Sequence, residues 1–307
     1  MKQTFVEKKF SANSLALIHT ANKIVDEYRH MGFHLSLRQL YYQLVARDYI
    51  ENTVQSYKRV GVIISDARDA GLVDWNAIED RGRSPYLPAE WENPAEIVRA
   101  AANGFRVNRW IGQKNYVEVM VEKDALSGIL RPVCSQLHVR FTANKGYSSS
   151  TAMYDAGRRF LEQGDDNKNL YLIYLGDHDP SGIDMTRDVR ERLNLYGEWI
   201  DGNLEVIRVA LNMDQVETWQ PPRNPAKETD SRFASYRDKF GDDSWELDAV
   251  EPRTLAGLVR DHITNLIDQE QWEKIQATEK EMRDELIEFA DGYEGRAKKR
   301  RNSRKGK

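Results

Sequence analysis

Apolar positions spaced three or four residues apart predict three helices in the N-terminal part of the chain. The first covers residues 12–31. The second begins at Ser36, where SLRQ has the capping-box pattern of serine followed three residues later by glutamine. The third runs from Asn52 to about Gly71. We therefore expect a helical domain in residues 1–83.

A short extended segment, residues 72–80, follows the third predicted helix. Three helices followed by such a segment are typical of a winged helix-turn-helix domain, in which the last helix lies in a DNA groove. A plain three-helix packing unit gives nearly the same pattern, because many folds share this spacing. The N-terminal pattern alone therefore leaves DNA binding open.

A proline-rich segment separates this region from a second pattern. SPYLPAEWENPA holds three prolines and shows no periodicity, so we interpret residues 84–110 as an interdomain linker. Beyond it, runs rich in β-branched and aromatic residues alternate with helical stretches. The predicted strands are residues 116–121, 138–143, 169–175 and 204–211, with helices near 124–130, 149–163 and 182–196.

This alternation predicts the fold class α/β, with a mostly parallel sheet and right-handed crossovers in residues 111–215. In such sheets, functional residues gather outside the carboxyl ends of the strands. Glu122 follows the first predicted strand directly, and Asp177 and Asp179 follow the third. If these strands are neighbours, three carboxylates converge, and a divalent cation would relieve their repulsion.

Helix capping is an alternative role for one of these acids. Asp179 can cap the helix that PSGIDM begins, with Pro180 at its first position. Capping explains one acid but not three. His178 lies between the two aspartates, and the alternation of side chains along an extended loop points it away from them. We interpret His178 as structural, with a minor contact to phosphate as the alternative.

The composition narrows the choice of metal and of location. Cys134 is the only cysteine and the six histidines are scattered, which excludes an intramolecular disulfide and a multi-cysteine metal site. Carboxylates would then hold any metal, which favours Mg²⁺ or Mn²⁺. No apolar run is long enough to span a bilayer, and the N-terminus lacks the pattern of a signal peptide. We therefore expect a cytoplasmic protein without a membrane role.

Two motifs and the turn between them resemble a known family. VEVMVEKDALSGIL and LIYLGDHDPSGIDM resemble the Toprim domain, which has a Glu after one strand and an Asp-x-Asp after a later one. The EKD and DxDPxG forms, with a turn at Asn144, Lys145 and Gly146, resemble more narrowly the topoisomerase VI A subunit and the meiotic double-strand-break transesterase. The resemblance covers roughly residues 30–215.

This resemblance implies a metal site and contacts to the substrate. It implies a Rossmann-like Toprim domain in which Glu122, Asp177 and Asp179 hold Mg²⁺ or Mn²⁺. Lys123 stands beside the first of these acids and Lys145 lies in the turn. Both lysines are candidate contacts to DNA or phosphate.

Members of this family have a nucleophilic tyrosine four residues after an arginine, in a winged-helix domain that precedes the Toprim domain. LSLRQLYYQL places Arg38 and Tyr42 at that spacing. The resemblance implies that Tyr42 attacks a DNA phosphate, forming a 5'-phosphotyrosyl link, and that Arg38 steadies the phosphate. Arg38 lies one turn away on the same helix face, where positive charge helps a phenol to react. A different helix register would exchange the roles of Tyr42 and Tyr41, and packing is the alternative role for both.

The resemblance also implies partners. In the family, the tyrosine of one subunit works with the metal site of the other, so we expect a homodimer on double-stranded DNA and a nucleoid-associated location. The sequence has no GxxxxGK[ST] loop. Strand passage would therefore need a separate ATPase subunit of the B type. The chain is either half of such a pair or a short stand-alone relative, and its size favours the second.

The C-terminal third falls outside the resemblance, and residues 216–294 are predicted to be a partly helical extension. Glu246 and Asp248 either reach the metal site or tie this region to the sheet, and the second is favoured because acids in loops are usually solvated. Residues 254–290 predict one or two amphipathic helices. The net charge of the chain is -4, yet residues 295–307 contain eight Lys or Arg and no acid. They predict a disordered, polyanion-binding tail, with a solubilising end as the alternative.

Three functional hypotheses follow from these patterns. The first is a magnesium-dependent transesterase of the topoisomerase VI A type that cleaves DNA through Tyr42. The second is a Toprim nuclease in which water attacks the phosphate, so the tyrosine has no catalytic role. The third is a DNA-binding or partner-binding module without catalytic activity.

Overall fold

A computed structural model describes residues 2–78, 88–144, 146–165, 167–198 and 203–305. The chain forms two compact units, each made of two segments. The larger unit consists of Met1–Arg81 and Asn115–Leu266. The smaller unit consists of Gly82–Lys114 and Ile267–Lys307.

The described residues contain eleven α-helices and six strands. The helices are α1 (Ala12–His30), α2 (Leu37–Ala46), α3 (Val54–Asp69), α4 (Pro94–Gly104), α5 (Ser127–Gln136), α6 (Ser150–Asp165), α7 (Pro180–Tyr196), α8 (Met213–Trp219), α9 (Phe233–Phe240), α10 (Pro252–Thr264) and α11 (Gln269–Lys305). The strands are β1 (Asn115–Val121), β2 (Arg140–Ala143), β3 (Asn169–Leu175), β4 (Leu204–Ala210), β5 (Arg223–Pro225) and β6 (Asp243–Trp245).

The first three helices form where the sequence predicts them. Ser11 caps α1, and Ser36 exchanges both capping-box hydrogen bonds with Gln39 at the start of α2. The third helix begins after Thr53 instead of at Asn52, because the Thr53 side chain is its cap. The apolar faces of the three helices share one core, which includes Ile18, Ile24, Tyr28, Leu40, Leu44 and Ile64.

The segment after α3 differs from the predicted extended conformation. Trp75–Ala77 form a turn of 3₁₀ helix, which Asp74 caps with its side chain. An isolated bridge then pairs Ile78 with Leu35. Within the described residues up to Ile78, this segment forms no hairpin.

Strands β1 to β4 form a parallel sheet in the order β2-β1-β3-β4. Each lies within about two residues of its predicted bounds, and the α/β class predicted for this part of the chain is confirmed. β1 and β3 are neighbours over their whole length, with Val121 opposite Leu175 at their carboxyl ends. The residues that follow these two strands therefore emerge side by side.

Helices cover the sheet and complete its core. One cluster combines side chains of the sheet with those of α6 and α7, and it includes Met120, Met153, Phe160, Leu172, Met185 and Leu193. α5 contacts β2 and α10, and α10 also contacts β4. Burial of these apolar side chains fixes the sheet and the positions of its strand ends.

A short hairpin connects the sheet to the N-terminal helices within the larger unit. β5 and β6 pair antiparallel, and Trp245 exchanges backbone hydrogen bonds with His178. The 3₁₀ turn Leu247–Ala249 contacts α2, and Ala249 belongs to the core of the N-terminal helices. The predicted N-terminal and sheet domains are therefore joined in one compact unit.

The smaller unit pairs α4 with α11. α4 lies inside residues 84–110, so this part of the predicted linker is helical; Asn93 caps it and Pro94 is its first residue. The backbone of α11 continues to Lys305, which includes most of the segment predicted to be a disordered tail. In the described part of the chain, no helix combines the length and apolar composition that crossing a bilayer requires.

Candidate active site

Glu122 and Asp177 lie together at the carboxyl ends of β1 and β3. The Asp177 N–H donates to Glu122 Oε2 at 2.9 Å, and the Glu122 N–H donates to the Leu175 carbonyl at 2.9 Å. Both acids are about 5 % exposed. Neighbouring parallel strands that end in register thus bring together two of the three predicted acids, as the sequence pattern requires.

Two glycines permit this close approach. A Cβ on Gly176 would lie 2.8 Å from Glu122 Oε2, and a Cβ on Gly182 would lie 2.3 Å from the Asp177 carbonyl oxygen. The first glycine makes room for the Glu122 carboxylate between the strands. The second lets the first turn of α7 rest directly on the backbone of Asp177. The glycines of LGDHDPSG are therefore needed for the packing of the acids.

Asp179 caps α7, which is the alternative role expected from the sequence. Its Oδ1 accepts the Gly182 N–H at 2.6 Å and the Ser181 hydroxyl at 3.1 Å. Its charge still reaches Glu122, where it contributes to a raised pKa. Asp179 is thus near the other two acids, with one oxygen already occupied by the helix terminus.

Lys123 lies at the centre of a carboxylate cluster. Its ammonium contacts Asp177 Oδ2 and Glu246 Oε2 directly and lies 3.9 Å from Asp248 Oδ2. The side chain is 19 % exposed, so much of its charge is withdrawn from water. We use the name carboxylate cluster for Asp177, Glu246 and Asp248. The sequence predicted Lys123 as a phosphate contact, but here it bridges acids.

The hairpin β5–β6 places the two C-terminal acids of the cluster. The Leu247 N–H, between them in the sequence, donates to Asp177 Oδ1 at 2.8 Å. Arg38 Nη2 donates to Glu246 Oε2 at 2.7 Å, and Arg38 Nε lies 3.2 Å from Asp248 Oδ2. Glu246 and Asp248 therefore both reach the site and tie α2 to the sheet, whereas the sequence analysis favoured only the second role.

Burial dominates the electrostatics of the cluster. Burial raises the pKa of Asp177, and the charges of Glu122 and Glu246 add to the rise while Lys123 opposes it. Burial also raises the pKa of Asp248, against the attraction of Lys123 and Arg38. Burial alone would lower the pKa of Lys123, but the surrounding carboxylates raise it. The acids thus stabilise the ammonium, while burial makes the charges of Asp177 and Asp248 costly.

Asp248 is the least satisfied of these acids. Its side chain is fully buried, and neither carboxylate oxygen accepts a hydrogen bond from the described residues. Its Oδ2 lies 3.2 Å from Arg38 Nε and 3.9 Å from Lys123 Nζ, as ion-pair contacts. A buried carboxylate without hydrogen-bond donors lowers the free energy of unfolding. The burial of Asp248 therefore destabilises the fold.

Tyr42 and Arg38 lie together as their i, i+4 spacing predicts. The Arg38 guanidinium carbon is 5.9 Å from the centre of the Tyr42 ring. Burial raises the pKa of Tyr42, the Glu246 charge adds to the rise, and hydrogen bonding by Arg38 and Asn224 opposes it. Arg38 also contacts Glu246 and Asp248, so one guanidinium connects the tyrosine to the carboxylate cluster.

A pocket of about 340 Å³ opens beside Tyr42. Its lining includes Arg38 and Glu246 together with three tyrosines and two asparagines. These are Tyr41, Tyr42, Tyr57, Asn52 and Asn224. This volume and mixture of aromatic and polar walls are those of a small-ligand site.

Tyr41 makes contacts that differ from those of Tyr42. The Tyr41 hydroxyl donates to Asn52 Oδ1 and to the Thr53 carbonyl, both at 3.0 Å. Asn52 in turn donates to Asn224 Oδ1 at 2.9 Å. Tyr41 thus forms part of the pocket wall, and hydrogen bonds to the start of α3 hold it there. Arg38 contacts Tyr42 instead. Sequence reasoning missed Asn224, because a three-residue strand leaves almost no periodic signal.

His178 is buried in an aromatic cage, which agrees with its interpretation as structural. Its Nδ1 lies 2.8 Å from the Tyr236 hydroxyl, and the rings of Phe240 and Trp245 contact it edge-on. Burial lowers the pKa of His178 to about 4. It therefore stays neutral at physiological pH and anchors the β5–β6 hairpin to the loop after β3.

The donors present suit a hard divalent cation, although the acids as they stand do not form a metal cage. Within the described ranges, no group of three or more His, Cys, Asp or Glu side chains is arranged to hold a metal ion. Lys123 occupies the centre of the carboxylate cluster, and Asp179 caps α7. Buried carboxylates with raised pKa values, one lacking hydrogen-bond donors, nevertheless have the chemistry of Mg²⁺ or Mn²⁺ ligands. The predicted contact Lys145 lies outside the described residues.

Comparisons of the chain with protein-family models, with curated proteins and with solved structures found no match. The fold therefore defines an α/β protein with a parallel sheet, and the site defines a buried ion cluster connected to a tyrosine.

Proposed function

We propose that the protein is a divalent-metal-dependent DNA transesterase related to the topoisomerase VI A subunit, with Tyr42 as nucleophile. The observation that supports this proposal is the path from Tyr42 through Arg38 and Glu246 to Lys123 and Asp177 within one chain. A tyrosine in a packing role alone needs no such connection. The second hypothesis, hydrolysis by water at the acids, does not explain the pocket around Tyr42.

The reaction is a phosphoryl transfer with balanced bonds. The Tyr42 oxygen forms a bond to the phosphorus and loses its proton, while the bond from phosphorus to the 3'-oxygen breaks and that oxygen takes up a proton. The products are a 5'-phosphotyrosyl link and a free 3'-hydroxyl. A divalent ion, when bound, stabilises negative charge on the phosphate and on the leaving oxygen.

Arg38 and Asn224 prepare Tyr42 for this attack. A phenol in a buried site resists ionisation, and the burial-raised pKa of Tyr42 reflects this. Donors aimed at its oxygen stabilise the phenolate as it forms. Arg38 has five N–H donors and directs only part of them at Glu246 and Asp248. The remaining donors are suited to a phosphate at the mouth of the pocket.

Covalent capture tests the nucleophile. Purified protein is incubated with supercoiled DNA and Mg²⁺, denatured, and analysed for protein attached to 5' ends. Tyr42→Phe should abolish the adduct, whereas Tyr41→Phe, the matched change in the neighbouring ring, should retain it. Adduct from Tyr42→Phe equal to that of wild type would refute the assignment. Cleavage without adduct that is lost in Asp177→Asn would instead identify the water-dependent nuclease.

A homodimer on double-stranded DNA is part of the proposal, because each subunit would cut one strand. Subunit mixing tests how the sites are completed. Tyr42→Phe and Asp177→Asn proteins are mixed, unfolded together and refolded. Recovery of about a quarter to a half of wild-type cleavage means that the tyrosine of one subunit works with the acids of the other. No recovery means that each chain uses its own Tyr42, as the Arg38 contacts favour.

A further inference from the structure

We propose that the pocket beside Tyr42 binds one base of the DNA, taken out of the helical stack next to the phosphate that Tyr42 attacks. This inference rests on the proposed function, because it takes DNA as the substrate and Tyr42 as the nucleophile. It adds a recognition step that precedes any bond breaking. The step can therefore be measured without cleavage.

The interior of the pocket is aromatic and rigid. Its volume of about 340 Å³ lies in the range of sites for small ligands, and a base is a small planar ligand. Tyr41 and Tyr42 are buried, with 5.2 Å between their ring centres in an edge-to-face contact. Tyr57 makes the same kind of contact with Tyr41, also at 5.2 Å. Packing therefore holds three rings in place before a base arrives.

Tyr57 lies at the mouth of the pocket, where a base would enter. It is 36 % exposed, whereas the other two rings are buried. Val54 on α3 and Pro225 on β5 line the same pocket and are exposed. The face of a base that covers an aromatic ring and apolar groups is stabilised by stacking and by burial of apolar surface. The mouth thus offers a base a surface to stack on.

The amide groups in the wall are already hydrogen-bonded to other parts of the wall. Asn52 Oδ1 accepts the Tyr41 hydroxyl at 3.0 Å. Asn52 Nδ2 donates to the Arg223 carbonyl at 3.0 Å and to Asn224 Oδ1 at 2.9 Å, which uses both donors of this amide. Asn52 could read the edge of a base only by giving up these bonds. Binding by stacking, which every base permits, is therefore favoured over recognition of one base.

Positive charge beside the mouth suits the phosphates on either side of the base. The Arg38 side chain is 41 % exposed, and its partner Glu246 is the acid that lines the pocket with it. Lys58 directly follows Tyr57 on α3, and Arg223 lies on β5; both are exposed. A base within a strand has a phosphate on each side, whereas a free mononucleotide has one phosphate group. This arrangement of cations favours a base of the DNA over a free nucleotide.

Anisotropy measurements of short labelled duplexes with the full-length chain, without divalent metal ions so that no cleavage occurs, test the pocket. A mismatched base is easier to unstack than a paired one, so a duplex with one central mismatch should bind about tenfold or more tightly than the paired duplex. Abasic residues on both strands at that position should abolish the gain, since they offer no base. Equal binding of the mismatched and paired duplexes, or of the mismatched and abasic duplexes, would overturn the inference.

Substitutions at Tyr57 test where the base binds. Tyr57→Ala should weaken binding of the mismatched duplex about fivefold or more, which is the lower end of the effect of base–aromatic stacking. Tyr57→Phe keeps the ring and should retain the preference. Tyr49→Ala is the matched control, because Tyr49 is an exposed tyrosine that is not among the residues lining this pocket. A preference that survives Tyr57→Ala would place the base elsewhere and contradict the inference.

The results separate this inference from the proposed function. Covalent adduct without a preference for the mismatch would refute the base pocket and leave the transesterase, whereas a Tyr57-dependent preference without adduct would do the reverse. A chain that binds none of the duplexes would refute both. Titration with dAMP alone tests the other source of a base. Binding of dAMP as tight as that of the mismatched duplex would indicate a nucleotide site and overturn the assignment to DNA.

Discussion

Each compact unit contains a buried ion cluster, and the two clusters differ in how completely their carboxylates are paired. In the smaller unit, Glu279 is about 1 % exposed and accepts hydrogen bonds from Arg109, Arg283 and the Val107 N–H. The Arg109 contacts are bidentate, at 2.8 Å and 3.3 Å. In the larger unit, Asp248 is as deeply buried and accepts none from the residues that the structure describes.

The difference separates a structural ion cluster from the cluster that we propose to be functional. A fully paired buried carboxylate recovers its desolvation cost through charge-assisted hydrogen bonds, and it holds elements together. An incompletely paired carboxylate is still stabilised by additional positive charge. Buried groups of this kind are common in active sites. Glu118 on β1 belongs to the first type, since Arg159 binds it bidentately at 2.8 Å. Asp248, whose oxygens accept no hydrogen bond from the described residues, belongs to the second.

The largest predicted effect is on the structural cluster. Glu279→Gln should destabilise the smaller unit by about 3 kcal/mol, because Arg109 and Arg283 lose the carboxylate that compensates them. Urea unfolding monitored by tryptophan fluorescence measures this, since Trp110 and Trp272 belong to the unit. Asp291→Asn is the control, because the Asp291 side chain is 63 % exposed. This change should alter the free energy of unfolding by less than about 0.5 kcal/mol. Equal effects of the two variants would remove the distinction.

Backbone packing at the acids should give the next largest effect. Gly182→Ala places a methyl group 2.3 Å from the Asp177 carbonyl oxygen, and relieving this overlap should cost about 2 kcal/mol. Gly257→Ala, in α10, meets no atom within 4 Å and should stabilise by about 0.5–1 kcal/mol through helix propensity. Opposite signs in urea unfolding are expected. A neutral Gly182→Ala would mean that α7 shifts freely.

The functional cluster should respond in the opposite direction to the structural one. Asp248→Asn removes a buried charge that accepts no hydrogen bond from the described part of the chain, so stability should be unchanged or rise by about 1 kcal/mol. The same urea experiment measures this change. Destabilisation as large as that of Glu279→Gln would place Asp248 among the structural carboxylates and would break the comparison.

Cys134 is a third kind of buried group, one that stays neutral, and near neutral pH it gives the smallest effect on stability. Burial raises its pKa to about 12, so a thiol reagent at pH 8 should react far more slowly with the native chain than with the unfolded one. The native state holds this proton more tightly than the unfolded state, whose thiol has a pKa near 8.5. Stability should therefore fall as pH rises from about 8.5 towards 12. A native thiol that reacts as fast as the unfolded one would contradict its burial.

Local patterns were sufficient to predict the elements and part of the site. The strand bounds, the Ser36 capping box and the meeting of Glu122 with Asp177 all depend on signals within a few residues or on the rule for parallel strand ends. The choice between capping and metal binding for Asp179 could not be made from sequence, because both roles need an acid at the same position. The structure favours the cap.

The rest depended on contacts between distant segments. Glu246 and Asp248 reach the acids only because the β5–β6 hairpin docks on the loop after β3, and a hairpin of two three-residue strands has no periodic signature. α4 and α11 are separated by more than half of the chain, yet they pack together. The local sequence of the predicted linker therefore did not indicate that α4 packs on a distant helix. Such pairings are set by burial, which a single sequence does not display.

The distance in sequence between Arg38 and its acids has a consequence during synthesis. Arg38 and Glu246 are separated by 208 positions, and a ribosome adds about 5–20 residues each second. For roughly ten seconds or more, a nascent chain can fold its N-terminal helices and display Tyr42 without the segment that connects it to the acids. The contacts of Arg38 with Glu246 and Asp248 can therefore form only when translation has passed residue 248.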